Sequence, residues 1–282
     1  MQTIRDGVRL ALDYIEEHLT EEIDIHAIAA RAYISAYHFQ RVFHALCGMT
    51  LGEYIRCRRL TLAGQELAAG RKRHPSDRSR VIDLAVKYGY ESADAFTRAF
   101  RRFHGVVPSQ AGVPGVILQA LAPFSISDNP EGGSTMEYRI ETKEPFSVVG
   151  YLRHFHNDTS YELIPAWWQE MMEQGMPLDG EFGVCIDADG CEFDYIIADR
   201  YTPGQPIPDG CVTREIPGGM WAVFPCTLAT LQDINTKMWR DWLPACREYR
   251  LRYNCNLEFY YPLNKEDPPS SKAELWLPIT PA

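Results

Sequence analysis

The sequence predicts two domains of different class. The first is an all-α N-terminal domain of two helix-turn-helix subdomains; the second is an α+β C-terminal domain of duplicated β-α-β-β units. Three observations carry this. A 16-residue stretch recurs within the first hundred residues, the pattern after residue 136 alternates strands with helices, and charge divides sharply between the halves. At 282 residues the chain is too long for one ordinary core. Its 45% apolar and 12% aromatic content argues against wholesale disorder. No run of 18 apolar residues suggests a membrane span. The opening MQTIRDGVRLALDYIEEHL mixes charge with apolar residues, as an amphipathic helix of a cytoplasmic protein would, and unlike a signal peptide.

The repeat defines the first domain. Moving YESADAFTRAFRRFHG (90–105) back by 57 positions lays it on YISAYHFQRVFHALCG (33–48). Seven positions agree: Tyr33/Tyr90, Ser35/Ser92, Ala36/Ala93, Phe39/Phe96, Arg41/Arg98, Phe43/Phe100 and Gly48/Gly105. Each copy follows a short apolar helix, and Ala29 or Ala85 precedes by four residues a turn at Tyr33 or Gly89. Helix, tight turn, serine N-cap and second helix make a helix-turn-helix unit.

Charge and periodicity assign the faces of the second helices. The chain carries a net charge of −10, yet residues 1–112 hold 16 Lys and Arg against 13 Asp and Glu. Residues 113–282 hold 12 against 25, and within 31–104 the balance is 14 basic to 6 acidic. A polyanion partner is therefore compatible with the acidic total, because the basic block is confined to one module. Phe39, Val42 and Phe43, and Phe96, Ala99 and Phe100, fall at core spacing. Opposite them stand Tyr37, Gln40 and Arg41 in copy one, and Asp94, Thr97 and Arg98 in copy two, with Arg101 and Arg102 beyond. Arg and Gln present paired donors or acceptors to guanine and adenine edges. Ser35 and Ser92 sit where a helix N-terminus suits a phosphate. The competing reading is a solvated charged face.

With GMTLGEYIRCRRLTLA after the first unit and DLAVKYGYESADAFTRAFRRFHGVVPSQ at the second, residues 8–110 resemble the DNA-binding domain of the AraC/XylS regulator family. The resemblance implies a linker helix from near Leu51 through Arg56, Arg58 and Arg59. It also implies that one chain places both recognition helices in successive major grooves of promoter DNA, about 34 Å apart, reading bases with Tyr37, Gln40, Arg41, Asp94, Thr97 and Arg98. Asp94 either accepts from a cytosine amino group or repels phosphate and weakens copy two. The stretch AAGRKRHPSDRSR is longer than the family needs, and its proline would stop a helix.

Domain bounds follow as 1–113, a Pro-, Gly- and Ser-rich linker over 114–135, and 136–282. In the last part EYRIETKEPFSVVGYL reads as a strand, YELIPAWWQEMMEQG as a helix and EFGVCIDADGCEFDYIIADR as a hairpin, and the order then recurs. PFSVVGY, IPAWWQE, WAVF, LEFYYP and ELWLPI resemble a GyrI-like small-molecule-binding domain. That family places its ligand between the two units, among aromatics, with an acid on a late strand. Here the acid is Glu258, which shares a strand face with Tyr260; Trp168, Tyr195, Trp221 and Tyr260 are the expected walls. A carboxylate among rings suits an apolar or cationic effector.

The function implied is a sequence-specific transcription regulator, more often an activator in this family, whose effector biases contact with promoter or RNA polymerase. The alternatives are a DNA-tethered hydrolase using Glu258 as general base and a protein-interaction module. No nucleophile elbow or phosphate loop appears, so no enzyme and no cofactor are expected. The eight cysteines form no C-x-x-C pair, and His154 and His156 stand alone, so no metal site is expected either.

Overall fold

The computed structural model describes residues 4–70, 78–126, 136–188 and 190–282. Residues 71–77 of the long basic stretch and 127–135 of the linker lie outside them, so the expected helix break there is not described.

The first domain is helical: α1 Ile4–Glu17, α2 Ile25–Arg31, α3 Ala36–Cys47, α4 Leu51–Gly70, α5 Arg78–Lys87 and α6 Ala93–His104. The duplicated unit becomes α2–α3 and α5–α6. Ser35 caps α3 by accepting from the His38 N–H, and Ser92 caps α6 by accepting from Ala95. Gly48 and Gly105 end both helices in the left-handed conformation. A serine cap contributes about 1 kcal/mol, whereas truncating a buried Phe costs about 3–5 kcal/mol. The fully buried Phe39, Phe43, Phe96 and Phe100 therefore hold these helices more firmly than the caps do. Linker helix α4 serves two cores: Leu51 and Tyr54 join the first, while Leu60, Ala63 and Leu67 join the second.

The two turns solve one problem differently. Tyr33 has φ 58° where Gly89 has φ 77°. Copy two also has one more residue between this turn position and its serine cap.

The second domain is one antiparallel sheet in the order β1-β6-β9-β8-β3-β4-β2-β5, with short β7 beside β9. Its strands are β1 Arg139–Lys143, β2 Phe146–His156, β3 Phe182–Asp187, β4 Glu192–Tyr201, β5 Val212–Ile216, β6 Gly219–Thr227, β7 Tyr249–Leu251, β8 Cys255–Tyr260 and β9 Lys272–Pro281. Helix α7 (Ser160–Glu173) follows β2. After β6 comes α8 (Leu231–Lys237), which runs through a π-helical turn at Met238–Trp242 into α9 (Leu243–Ala245). The units β2-α7-β3-β4 and β6-α8-β8-β9 thus meet at the β3·β8 pairing, as a pseudo-twofold duplication requires.

The stretch read as one strand over EYRIETKEPFSVVGYL is two, broken at Glu144–Pro145. Although only these two residues join β1 to β2, β1 opens the sheet order and β2 stands next to its far end. The same holds for β5 and β6, joined by Pro217–Gly218. In a flat sheet Phe146 on β2 and Trp276 on β9 would be about 19 Å apart, four spacings of about 4.8 Å. Their ring centroids are 6.4 Å apart, so the sheet curls until its ends meet. The short connections touch: a Cβ on Gly218 would lie 2.7 Å from the Pro145 ring. Inside the curl sit Val148, Phe182, Val184, Ile196, Trp221, Val223, Leu257 and Trp276. The outer face carries α7 and α8–α9.

Arg58 ties the segment after α6 to the first subdomain. Its guanidinium pairs with Glu16 at 2.7 Å and donates to the Leu121 carbonyl, and the Tyr54 hydroxyl, 2.7 Å from Glu16, accepts from the Phe124 N–H.

Left-handed backbone costs a non-glycine residue about 1–2 kcal/mol, and Tyr33 is 71% exposed, so its ring offers little in return. Tyr33→Gly should stabilise the protein by about 0.5–1 kcal/mol net of the glycine entropy cost. The urea midpoint should rise at unchanged slope; a fall would show that the ring makes an energetic contact.

Candidate nucleic-acid interface and ligand cleft

Helix α6 presents the surface expected of it. Phe96 and Phe100 point into the core, while Asp94, Arg98, Arg101 and Arg102 are exposed around the intact Ser92 cap. Thr97 is half-buried, and its hydroxyl donates to the Ala93 carbonyl at 2.7 Å. On α4, Arg56 is half-buried and faces Glu53 at 3.5 Å. Its neighbours Arg58 and Arg59 are structural, Arg59 donating to the backbone carbonyls of Leu19 and Glu21.

Helix α3 departs from its twin. Phe39, Val42 and Phe43 fill the first core as expected, but the opposite face is also covered. Tyr37, Gln40 and Arg41 are 0%, 8% and 7% exposed. They were expected to face outward; the second domain buries them instead. The α3 helix lies against the outer sheet face beside α7 and the π-helical turn. The Tyr37 hydroxyl donates to Asn256 Oδ1 on β8 at 2.6 Å. Gln40 Nε2 donates to the Gly190 carbonyl in the β3–β4 turn, which Asn157 Nδ2 also approaches, at 3.3 Å. His38 packs on Trp239 with centroids 5.6 Å apart, and His44 stacks on Tyr161 at 4.0 Å and 14°. Gly190 is required here, because a Cβ would come within 2.5 Å of the Ala36 methyl.

Arg41 carries its charge into this interface. Its guanidinium lies 4.7 Å from the Tyr37 ring centroid and 5.1 Å from that of Phe193, rings that share an apolar cluster with Cys185. Burial works against its charge, and Tyr37, Cys185, Tyr161 and Glu258 more than offset that, so its pKa lies above the ordinary guanidinium value. The accounting is nevertheless close. Each desolvated cation–π contact contributes about 2 kcal/mol, while Arg41 Nε is buried without a hydrogen-bond partner, a loss of about 1–3 kcal/mol or more for a charged group. Apolar packing around Arg41, more than the cation itself, holds α3 down.

Beside it lies the expected acid. Glu258 Oε2 accepts from the Tyr195 hydroxyl at 2.5 Å and the Tyr260 hydroxyl at 2.7 Å. Trp168 Nε1 donates to the Tyr195 hydroxyl at 2.8 Å, and its ring meets Tyr260 edge-on at 5.2 Å. Burial, then the Glu258 charge, pushes both tyrosines well above the usual phenol range, so both stay neutral donors. Gly183 leaves the space these groups use, since a Cβ there would sit 2.1 Å from the Tyr195 hydroxyl and 2.6 Å from Glu258 Oε2.

Four of the five expected ligand residues, Trp168, Tyr195, Glu258 and Tyr260, therefore converge. Trp221 does not. Alternation along β6 sends it inside the curl against Trp276, 6.3 Å between centroids, while Ala222 and Phe224 face outward. The residues missed are Asn256, Cys185 and Phe193. Asn256, two residues before Glu258, is a buried polar group on the acid's own strand face, and parity alone would have picked it out. Among the described residues no cluster of three or more His, Cys, Asp and Glu is placed to hold a metal, and no helix is long and apolar enough to cross a membrane.

Residues 28–111 match a family of helix-turn-helix domains, and residues 139–279 match the family described as integron-associated effector binding protein. The HTH-type transcriptional activator AarP of Providencia stuartii is 38% identical over 98 residues, 35% of this chain and 67% of that protein. The regulatory protein SoxS of Salmonella typhimurium is 34% identical over 102 residues, 36% of this chain and 89% of that protein. Among solved structures, SAV2435 bound to tetraphenylphosphonium covers 51% of this chain and 94% of its own, with TM-score 0.43 and 17% identity.

His38 gives the α3 interface a pH dependence. Burial and then the Arg41 charge lower its pKa from 6.5 to about 3. A depressed folded-state pKa means that its contribution is complete above pH 6.5 and is lost as pH falls toward 3. At 1.36 kcal/mol per unit, about 2 kcal/mol should be gone at pH 5. Thermal unfolding should thus show a steeper loss between pH 6.5 and 5 than in His38→Gln; parallel curves would remove His38 from the account.

Proposed function

The chain belongs to the AraC-type helix-turn-helix transcription regulators and carries a GyrI-like, integron-associated effector-binding domain, and from that premise we propose a division of labour within it. Residues 1–113 read promoter DNA, 114–135 connect, and 136–282 bind an effector, all in the cytoplasm, with RNA polymerase as the downstream partner and activation as the output. Base reading falls to Arg98 and Thr97 on α6, and to Gln40 and Arg41 with Tyr37 on α3 in a form in which that helix has left the second domain; Ser35, Arg56, Ser92, Arg101 and Arg102 meet phosphates. One observation carries the DNA reading: the solvent-facing arginines of α6 beside a capped helix N-terminus. Asp94, exposed in the first turn of that helix, tempers it and leaves copy two the weaker reader. On this reading both helices enter successive major grooves of one site, as the resemblance implies.

The effector is apolar or cationic and sits over Glu258 among Trp168, Tyr195 and Tyr260. The hydrolase alternative has less support, because the relatives matched are transcription regulators.

Two measurements test this. With an operator selected from random duplexes, Arg98→Ala should lose about 1–3 kcal/mol of specific binding and relax one base position. Arg101→Ala should weaken all duplexes alike and lower the salt slope by about 0.9. An unchanged affinity and slope in both would remove α6 from the interface. For the cleft, calorimetry should detect binding of tetraphenylphosphonium but not of tetraphenylborate, a probe of the same shape and opposite charge. Glu258→Gln should weaken the cation about tenfold, or about 1.4 kcal/mol. Equal affinity for both probes would refute a cation site.

A further inference from the structure

We propose that Arg41 is a tethered occupant of the effector cleft, so that recognition helix α3 and a cationic effector compete for one site and effector binding frees α3 for DNA. The proposal rests on the cleft reading above and adds its regulation.

Three observations carry it. First, the duplicated unit supplies an internal control. Arg41 and Arg98 hold equivalent positions in the repeat, yet Arg98 is exposed and Arg41 is buried. The helix-turn-helix fold therefore does not bury this arginine; the second domain does. Second, Arg41 holds its guanidinium over the Phe193 ring, and Phe193 belongs to the same apolar cluster as Tyr195 and Trp168 of the cleft, while its other ring partner, Tyr37, travels with α3. The side chain is a planar cation standing against the aromatic cluster that walls the cleft. Third, the docked helix is held imperfectly. Arg41 Nε and His38 Nε2 are both buried without hydrogen-bond partners. A contact that wastes polar capacity is one that a better-fitting ligand displaces.

Docking also hides Tyr37, Gln40 and Arg41, so the closed form offers DNA only α6. Since effector and DNA both require the open form, each must strengthen the other by the same factor. The apparent affinity for effector is reduced by the fraction of molecules that are open. Removing the plug should therefore raise effector affinity while removing a base contact, an opposite pair of effects that a purely structural arginine would not give.

The full chain is titrated with tetraphenylphosphonium and tetraphenylborate, and amide hydrogen exchange is followed across 36–47 and 93–104. The cation should raise exchange in α3 at least tenfold and leave α6 unchanged, and the anion should do neither. Arg41→Ala should bind the cation about tenfold more tightly. Gly190→Asn tolerates the left-handed φ of 87° and puts a Cβ 2.5 Å from the Ala36 methyl of α3; it should tighten binding too. Cation binding to Arg41→Ala alone, with none to the wild type, also supports the plug. If the wild type binds the cation in a Glu258-dependent way while α3 exchange and the affinities of both variants stay unchanged, competition is overturned and the cleft stands. If neither the wild type nor Arg41→Ala binds the cation, the cleft reading itself fails and takes the proposal with it.

Discussion

The arrangement depends on a basic helix face buried against aromatic rings. Helix α3 is covered on both sides, by the Phe39, Val42 and Phe43 core of its own subdomain and by the sheet and helices of the second domain. A helix buried all round normally belongs to the interior of a large core and is apolar throughout. This one instead sinks an arginine, a glutamine and a histidine. The first subdomain and the α8–α9 side of the sheet consequently share one continuous apolar cluster, in which Leu12, Ile15 and Phe43 belong with Trp239, Leu243 and Leu277. The second subdomain keeps a separate core around Leu84, Phe96 and Phe100. By packing, the division therefore runs through the DNA-binding module, with its first subdomain on the side of the second domain.

The cleft into which α3 settles is a product of sheet closure. Joining β1 to β2 and β5 to β6 through two residues each forces the ends of the sheet together, which puts Trp276, Trp221 and Phe146 inside and every helix outside. At the centre of the outer face, β3 and β8 pair across the pseudo-twofold axis with Gly183 opposite Glu258. A side chain at 183 would fill the space that Tyr195 and the carboxylate occupy. The same strands carry Cys185 opposite Asn256, so the floor beneath Tyr37 and Arg41 is two rungs of one ladder.

Local chemistry made much of this legible. Repetition at a 57-residue offset, serine caps, terminal glycines and phenylalanine spacing set the helices of the first domain, because each is decided within a few residues. Strand alternation placed Glu258 and Tyr260 together for the same reason. Trp221 was misplaced because alternation fixes which residues share a face and not which face that is; the answer depends on how β6 sits beside β9. The cover over α3 was illegible for a stronger reason. Both copies of the repeat have the same local pattern, and what separates them is a set of partners 150 and 219 residues away, Gly190 for Gln40 and Asn256 for Tyr37. Nothing within either helix announces that Tyr37, Gln40 and Arg41 will find a partner and that Asp94 and Arg98 will stay exposed.

The proposed switch has one set of side chains meet two different surfaces, and the chemistry explains why that is feasible. An arginine carries a flat apolar face and a rim of donors, so it stacks on rings in a dry cleft and donates to base edges or phosphates in a wet groove. Glutamine donates equally well to the Gly190 carbonyl or to a base. Tyr37 contributes a ring and a single hydroxyl in either setting. A lysine would lose more on leaving water, since its compact charge is more strongly hydrated, and a leucine would settle in the cleft with no reason to leave. Arginine, glutamine and tyrosine are the compromise that keeps both surfaces within reach of a small free-energy difference. The orphaned Arg41 Nε measures how far the compromise falls short of a permanent interface.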